Sequence, residues 1–211
     1  AGGYVGCDGK ILVDIPMEPE QVSGLRAALE RAGAECTLEV RDETYGGIKM
    51  IERFANLFPK TPGKVNSEAE RWRKMMEFGM TICPIEKYHG EPVYKIVFIA
   101  PNEECLAEVK RQYESQFVFC ESRLGDEGGG IVNGELINRK FDKGTGIKAI
   151  CGFLGCSLAD TIGFGDSDND LQMTDVVGIS VCMANGSDNL KKRCDRICPA
   201  CLLYTSPSPR D

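Results

Sequence analysis

The chain has 211 residues, of which 42% are hydrophobic and 27% are charged, proportions that are ordinary for a globular protein of one or two domains. Its formal net charge of −7 argues against a nucleic acid or an anionic membrane as a partner, and no apolar run is long enough to span a bilayer. Eleven cysteines could suggest a disulfide framework, but Cys36 and Cys182, for example, lie within apolar segments, as free thiols of a cytoplasmic protein do.

After a predicted strand near the start of the chain, residues 20–125 mix helical and strand patterns. Apolar residues from Val22 to Ala32 recur at helical spacing, with Pro19 near the start of the predicted helix and Gly33 at its end. The other predicted elements are strands over residues 11–15, 36–40, 94–100 and 117–120 and helices over residues 48–58, 68–78 and 102–113. This mixture is typical of an α+β module.

Over residues 143–200, helix and strand patterns alternate. Strands are predicted over residues 131–137, 161–164 and 177–182, and helices over residues 147–154 and 171–174 and from Ser187. Alternation of this kind is typical of an α/β protein with a parallel sheet.

Three carboxylates follow the strand predicted over residues 161–164, which we expect to be buried because it is apolar. Asp166 and Asp170 are four residues apart, so a turn that leads into a helix can direct both at one point. Two converging carboxylates form an oxygen-rich site that suits Mg²⁺. The alternative is a solvated Asp/Asn-rich turn.

Three sequence features, taken in order, resemble one family. They are Phe141-Asp142-Lys143-Gly144, the Gly165-Asp166-Ser167-Asp168-Asn169-Asp170 run, and Met183-Ala184-Asn185-Gly186. Together they resemble phosphatases of the haloacid dehalogenase superfamily, Cof type (subfamily IIB), over most of residues 1–200. The resemblance implies an α/β fold in which a Rossmannoid parallel sheet, incomplete in this chain, carries an inserted α+β cap domain.

The resemblance also implies a domain division and a set of site residues. Residues 1–19 would be a core hairpin segment, residues 20–125 the cap, and residues 126–200 the C-terminal half of the core. Lys143 would contact the phosphoryl group and the nucleophile, and Asp166 would be the main Mg²⁺ ligand. Asp170 would support the metal site, and Asn169 would contact phosphate or Lys143. A lysine ammonium in such a position offsets anionic charge.

The family's first motif, Asp-x-Asp-Gly-Thr, supplies the nucleophile and the general acid, and it is absent here. The nearest match is Gly6-Cys7-Asp8-Gly9-Lys10, in which glycine stands at the nucleophile position. We interpret Asp8-Gly9 as a hairpin turn, the alternative being a decayed catalytic motif. The family's second motif, a phosphate-binding Ser or Thr, is also unmatched. We therefore expect both motifs to precede Ala1 and residues 1–211 alone to be inactive.

Two other features have competing interpretations. Residues 201–211 resemble the translation of a sequencing adapter, the alternative being a natural Ser/Pro-rich tail. Tyr45, Gly46 and Gly47 form either a cap loop near the site or a surface turn.

The resemblance implies a cytoplasmic, Mg²⁺-dependent phosphatase that acts on small phosphorylated metabolites, such as sugar phosphates or phosphorylated cofactors, through a phospho-aspartyl intermediate. We expect a monomer or homodimer that binds neither nucleic acid nor membranes. The alternatives are a phosphomutase of the same fold and a non-catalytic protein that binds a phosphorylated metabolite or a metal ion.

Overall fold

The computed structural model describes residues 2–47, 82–124 and 131–199. The helices predicted over residues 48–58 and 68–78 and the tail from residue 201 lie outside these ranges. The described residues form two compact units. The first unit joins residues 2–15 to residues 141–199, and the second unit comprises the described residues from 16 to 140.

The first unit begins with a β-hairpin. Strands β1 (Tyr4–Cys7) and β2 (Lys10–Asp14) pair antiparallel, with Cys7 opposite Lys10. The two residues between them, Asp8 and Gly9, have φ angles of 49° and 73°. Positive φ at both central residues is what a tight two-residue hairpin requires, and Asp-Gly meets that requirement at low cost. The prediction of a hairpin turn at Asp8-Gly9 is therefore confirmed.

The rest of the first unit alternates helices with parallel strands. Strands β9 (Ile162–Gly165), β10 (Ile179–Met183) and β11 (Arg196–Cys198) form a parallel sheet in the order β11, β10, β9. The helices that alternate with them are α3 (Lys143–Leu154), α4 (Leu171–Thr174) and α5 (Asp188–Arg193). This arrangement confirms the predicted α/β class with a parallel sheet.

Strand β9 is an edge strand among the described residues, and it is buried on one face only. Its side chains alternate, so that Gly163 and Gly165 are buried whereas Ile162 and Phe164 are 58% and 62% exposed. Apolar composition shows that a strand favours burial, but it does not specify whether neighbouring elements cover both faces.

The second unit is built on a six-stranded sheet with helices α1 (Pro19–Arg31) and α2 (Ala107–Tyr113). The strands of this sheet are β3 (Glu35–Glu39), β4 (Thr44–Gly46), β5 (Ile82–Pro84), β6 (Lys95–Ala100), β7 (Phe117–Leu124) and β8 (Ile131–Asn138). Their order in the sheet is β5, β4, β3, β6, β8, β7, and every neighbouring pair is antiparallel except β4 with β5.

One apolar cluster forms the core of the second unit. Leu25 and Leu29 of α1 pack with Phe98 of β6 and Leu136 of β8, and all four are fully buried. Alternation along β6 directs Ile96 and Phe98 to the helices and leaves Val97 and Ile99 for the opposite face. A sheet with helices packed on one face in this way is an α+β arrangement.

Strand β8 pairs with β6 and β7, so the structure includes it in the second unit, although the sequence analysis grouped it with the parallel half of the chain. The assignment of residues 1–19, 20–125 and 126–200 to domains of the whole protein stays a prediction. Sequence patterns also missed β4, β5 and β11, each of which is three residues long.

Tyr45 lies in β4 and is only 5% exposed, so the prediction of a loop or surface turn at this point is wrong. Its hydroxyl oxygen lies 2.5 Å from an oxygen of Glu43 and 3.1 Å from one of Glu91. A tyrosine can enter a core when its hydroxyl group has a partner. Here that partner comes partly from Glu91, which is distant in sequence.

The ten cysteines within the described ranges are all free thiols, as the sequence analysis expected. None of the helices that the structure describes is sufficiently long and apolar to cross a membrane.

The first unit also contains a hydrogen-bonded link between β10 and the residue before β11. One carboxylate oxygen of Asp195 accepts bonds from the backbone N–H of Ser180 (2.8 Å) and from its hydroxyl group (2.7 Å). Ser180 is 1% exposed, so these bonds satisfy groups that water does not reach. The bonds from the backbone and side chain of Ser180 lower the pKa of Asp195.

We therefore expect Asp195→Ala to lower the melting temperature at neutral pH. Because the folded-state pKa is lowered, the stabilisation is present above the ordinary carboxyl pKa of about 3.9 and is lost as the pH falls through the lowered value. Thermal unfolding followed by circular dichroism across this range would measure the difference between wild type and variant. A double variant with Ser180→Ala should show non-additive losses, and a difference that does not change with pH would contradict the assignment.

Candidate functional site

The loop after β9, residues 166–170, is organised by the side-chain carboxylate of Asp170, which accepts hydrogen bonds from the backbone of the same loop. One oxygen of Asp170 accepts the backbone N–H groups of Asp166, at 3.0 Å, and Ser167, at 3.2 Å. The side chain of Asp170 is 5% exposed. Gly165 permits this geometry, since a Cβ atom at that position would lie 2.6 Å from the Cβ atom of Asp170.

The other oxygen of Asp170 forms an ion pair with Lys143, the first residue of α3. The Lys143 Nζ atom also donates to the Oδ1 atom of Asn169 at 2.9 Å. A cation at a helix N-terminus is opposed by the helix dipole, so position alone would not favour lysine here. The buried carboxylate offsets that cost, and the lysine in turn offsets the cost of burying the carboxylate.

Helix α3 is fixed at its start by a side-chain cap. An oxygen of Asp142 accepts from the backbone N–H of Thr145 at 2.7 Å and lies 3.0 Å from its hydroxyl oxygen. Gly144, in the first turn of α3, allows a close approach to α4, because a Cβ atom at this position would lie 2.7 Å from the carbonyl oxygen of Gln172. The cap and this close packing together bring Lys143 to Asp170.

A second set of contacts joins the same loop to α5. The carboxylate of Asp168 accepts from the hydroxyl group of Ser187 and, at 3.0 Å, from the side-chain amide of Asn189. The backbone N–H of Ser187 donates to the carbonyl oxygen of Asp166 at 3.0 Å. The sequence analysis recognised Ser187 as a helix start but missed these contacts. An Asp-rich loop and a capping serine were the available signals, but neither identifies the other as its partner.

Asp166 differs from the other two acids of the loop. Its carboxylate is exposed and has no hydrogen-bond or ion-pair partner among the residues that the structure describes. It follows directly after β9, at the carboxyl ends of the parallel strands, where open α/β sheets bind ligands.

The carboxylate oxygens at the carboxyl end of β9 meet some of the requirements of a site for a hard divalent cation. Across residues 2–47, 82–124 and 131–199, no three His, Cys, Asp or Glu side chains are grouped so that they could hold a metal ion. Mg²⁺ does not require such a group, because it usually keeps several waters and binds one or two carboxylates together with substrate phosphate. The open carboxylate of Asp166 matches that requirement, and Asp170 can add only lone pairs that its three hydrogen-bond donors leave unused.

The structure thus brings Lys143, Asn169 and Asp170 into direct contact, and it connects Asp166 to them through a backbone hydrogen bond. The catalytic, substrate-binding and metal roles of these residues stay predictions.

A sequence profile of the haloacid dehalogenase-like hydrolases matches residues 1–200. The chain belongs to this family. The resemblance inferred from three short motifs is therefore confirmed. Among curated relatives, the HMP-PP phosphatase of Yersinia enterocolitica is 36% identical over 103 residues, which are 47% of this chain and 35% of that protein. The chain matches between 23% and 46% of the length of the curated relatives most similar to it.

Solved structures of the family share the fold. A haloacid dehalogenase-like hydrolase from B. subtilis superposes with a TM-score of 0.70 at 19% identity, covering 94% of this chain and 72% of that one. The subclass IIB sugar phosphatase BT4131 superposes with a TM-score of 0.67 at 17% identity, covering 94% of this chain and 67% of that one. These superpositions support the predicted Rossmannoid α/β fold.

The contacts of Asp170 predict a large loss of stability for Asp170→Ala. The substitution removes the ion-pair partner of Lys143 and leaves the amides of Asp166 and Ser167 without their acceptor. We expect a loss of about 2–4 kcal/mol. Urea unfolding of this chain would measure it. The control is Asp160→Ala, which removes an exposed aspartate and should change stability by less than about 0.5 kcal/mol. Equal effects of the two substitutions would contradict the role given to Asp170.

Proposed function

We propose that the whole protein is a Mg²⁺-dependent phosphatase that hydrolyses small phosphorylated metabolites through a phospho-aspartyl intermediate. The observation that carries the proposal is the lysine ammonium of Lys143, which contacts Asp170 and Asn169 beside the carboxyl end of β9 in a haloacid dehalogenase-like hydrolase. An anionic phosphoryl group needs positive charge where it reacts, and this part of the chain supplies it although the net charge of the chain is negative.

Each residue of the site has a proposed task. Lys143 binds the phosphoryl oxygens and offsets their charge. Asn169 orients the lysine and can turn its amide toward phosphate. Asp166 is the main Mg²⁺ ligand, and Asp170 supports the metal site by fixing both the loop and the lysine. When bound, Mg²⁺ would neutralise charge between two anionic reactants.

The nucleophile and general acid are proposed to lie in the rest of the whole protein. Residues 1–211 contain no Asp-x-Asp-Gly-Thr run, and the nearest match is the β1–β2 hairpin turn. Attack by an aspartate oxygen on phosphorus would form an acyl phosphate and break the P–O bond of the ester, and the leaving alcohol would take its proton from the general acid. Water would then hydrolyse the acyl phosphate, which would release inorganic phosphate and regenerate the carboxylate. We propose accordingly that the chain by itself does not turn over phosphate esters.

The substrate class is proposed from the printed names of relatives. One relative is named an HMP-PP phosphatase, and one structural neighbour is named a sugar phosphatase. Both names describe small phosphorylated molecules, and we propose the same class here. We further propose that residues 20–125 are the cap of the whole protein. The cytoplasmic location and the monomeric or homodimeric state stay predictions.

The test is a set of substitutions in the whole protein, assayed with an aryl phosphate and Mg²⁺. Lys143→Ala should lower kcat/KM by about 10²–10³, the loss typical for a charge-stabilising group in a partly desolvated site. Lys148 is the matched control, because it is exposed on the same helix α3, and Lys140 is a second control. Asp166→Asn should remove most Mg²⁺-dependent turnover while leaving the fold intact by circular dichroism.

Two outcomes would contradict the proposal. Equal, small effects of the three lysine substitutions would show that Lys143 has no special role. Binding of inorganic phosphate without any turnover in the whole protein would favour the non-catalytic alternative.

A further inference from the structure

Asp168 is an exposed aspartate, and each of its two carboxylate oxygens accepts a hydrogen bond from a residue at the start of α5. One oxygen accepts from the hydroxyl group of Ser187, and the other accepts from the side-chain amide of Asn189 at 3.0 Å. Exposed carboxylates usually stay solvated, because fixing a side chain costs conformational entropy. Two hydrogen bonds to residues 19 and 21 positions away make this side chain a defined connection between the loop and α5.

Ser187 links Asp168 to Asp166, because it bonds Asp168 through its side chain and Asp166 through its backbone. Its hydroxyl group donates to Asp168 and accepts the backbone N–H of Leu190 at 3.2 Å, so its one hydrogen and one of its lone pairs are used. Its backbone N–H donates to the carbonyl oxygen of Asp166 at 3.0 Å. A residue that is fixed through its side chain thus fixes the peptide group next to the Asp166 carboxylate.

The loop is therefore restrained from two directions. Asp170 binds the N–H of Asp166 from the side of α3 and Lys143, whereas Ser187 binds the C=O of Asp166 from the side of α5. Each of these contacts depends on a neighbouring acid, Asp170 in the first case and Asp168 in the second. The carboxylate of Asp166 lies between the two restraints and is the only one of the three acids without a partner in the described part of the chain.

We propose that Asp168 is a positioning residue for the metal site: by binding Ser187 and Asn189 it fixes the orientation in which Asp166 receives a divalent cation. This inference rests on the proposed function, because it takes Asp166 as the ligand. It differs from a direct role for Asp168, whose oxygens already accept hydrogen bonds from α5. A residue that orients a metal ligand through hydrogen bonds typically changes metal affinity or activity by about 10–100-fold when removed.

The test measures Mg²⁺ binding to the whole protein by isothermal titration calorimetry, with the Mg²⁺-induced rise in melting temperature as a second readout. Asp168→Ala should weaken Mg²⁺ binding by about tenfold. Asn189→Ala, which removes only one of the two contacts, should weaken it less. Asp160→Ala, an exposed acid of the same unit, should leave it unchanged.

Asp168→Asn separates positioning from charge. An asparagine can still accept from the Ser187 hydroxyl group, and it can donate to Asn189 once that amide turns over. Positioning through hydrogen bonds therefore predicts that Asp168→Asn keeps most of the Mg²⁺ affinity that Asp168→Ala loses. Amide hydrogen exchange gives an independent check, since the Ser187 N–H should exchange faster in Asp168→Ala than in Asp168→Asn.

Three results would overturn the inference. Equal losses of Mg²⁺ affinity in Asp168→Ala and Asp168→Asn would make Asp168 a direct ligand or a source of charge. A lower melting temperature in Asp168→Ala with unchanged Mg²⁺ affinity would make its role purely structural. Normal Mg²⁺ affinity in Asp166→Asn, measured in the same titration, would refute the metal assignment of the proposed function itself and can be distinguished from both other results.

Discussion

The buried carboxylate of Asp170 is the group on which the geometry of the candidate site depends. One of its oxygens accepts the two backbone N–H groups that begin the loop, and the other pairs with the lysine that begins α3. Burial makes such a carboxylate costly unless all its bonds are made, so the loop and the helix are held to one arrangement. The same ion pair stabilises the lysine at a helix N-terminus, where the helix dipole disfavours a positive charge.

The three acids of the loop have separate contacts although they lie within five residues. Asp170 points inward to its own backbone and Lys143, Asp168 binds the start of α5, and Asp166 remains open. A 3-10 turn over Asp168–Asp170 helps to separate them, because successive side chains of a tight turn point in different directions. Among the residues that the structure describes, only one of the three carboxylates thus has no partner and is open to a ligand, and its neighbours fix the backbone on both sides of it.

Much of the fold was predictable because it depends on local periodicity. The helix from Pro19, the strand ending at Ala100 and the Asp-Gly hairpin each follow from spacing, capping or turn preferences that act over a few residues. Short strands such as β4 and β11 were missed because three residues carry no periodic signal. The pairing of β8 was also missed, because whether a strand joins a parallel or an antiparallel sheet depends on neighbours distant in sequence.

The sequence by itself determined the family and the candidate residues, because the motifs around Lys143 and Asp166 are short, ordered and chemically specific. It could not determine what each acid contacts. The pairing of Asp170 with Lys143 spans 27 residues and that of Asp168 with Ser187 spans 19, so both exist only once α3 and α5 pack against α4. Only the tertiary structure could decide which carboxylates are hydrogen-bonded and which is open, because hydrogen bonds between distant elements depend on packing and not on spacing along the chain.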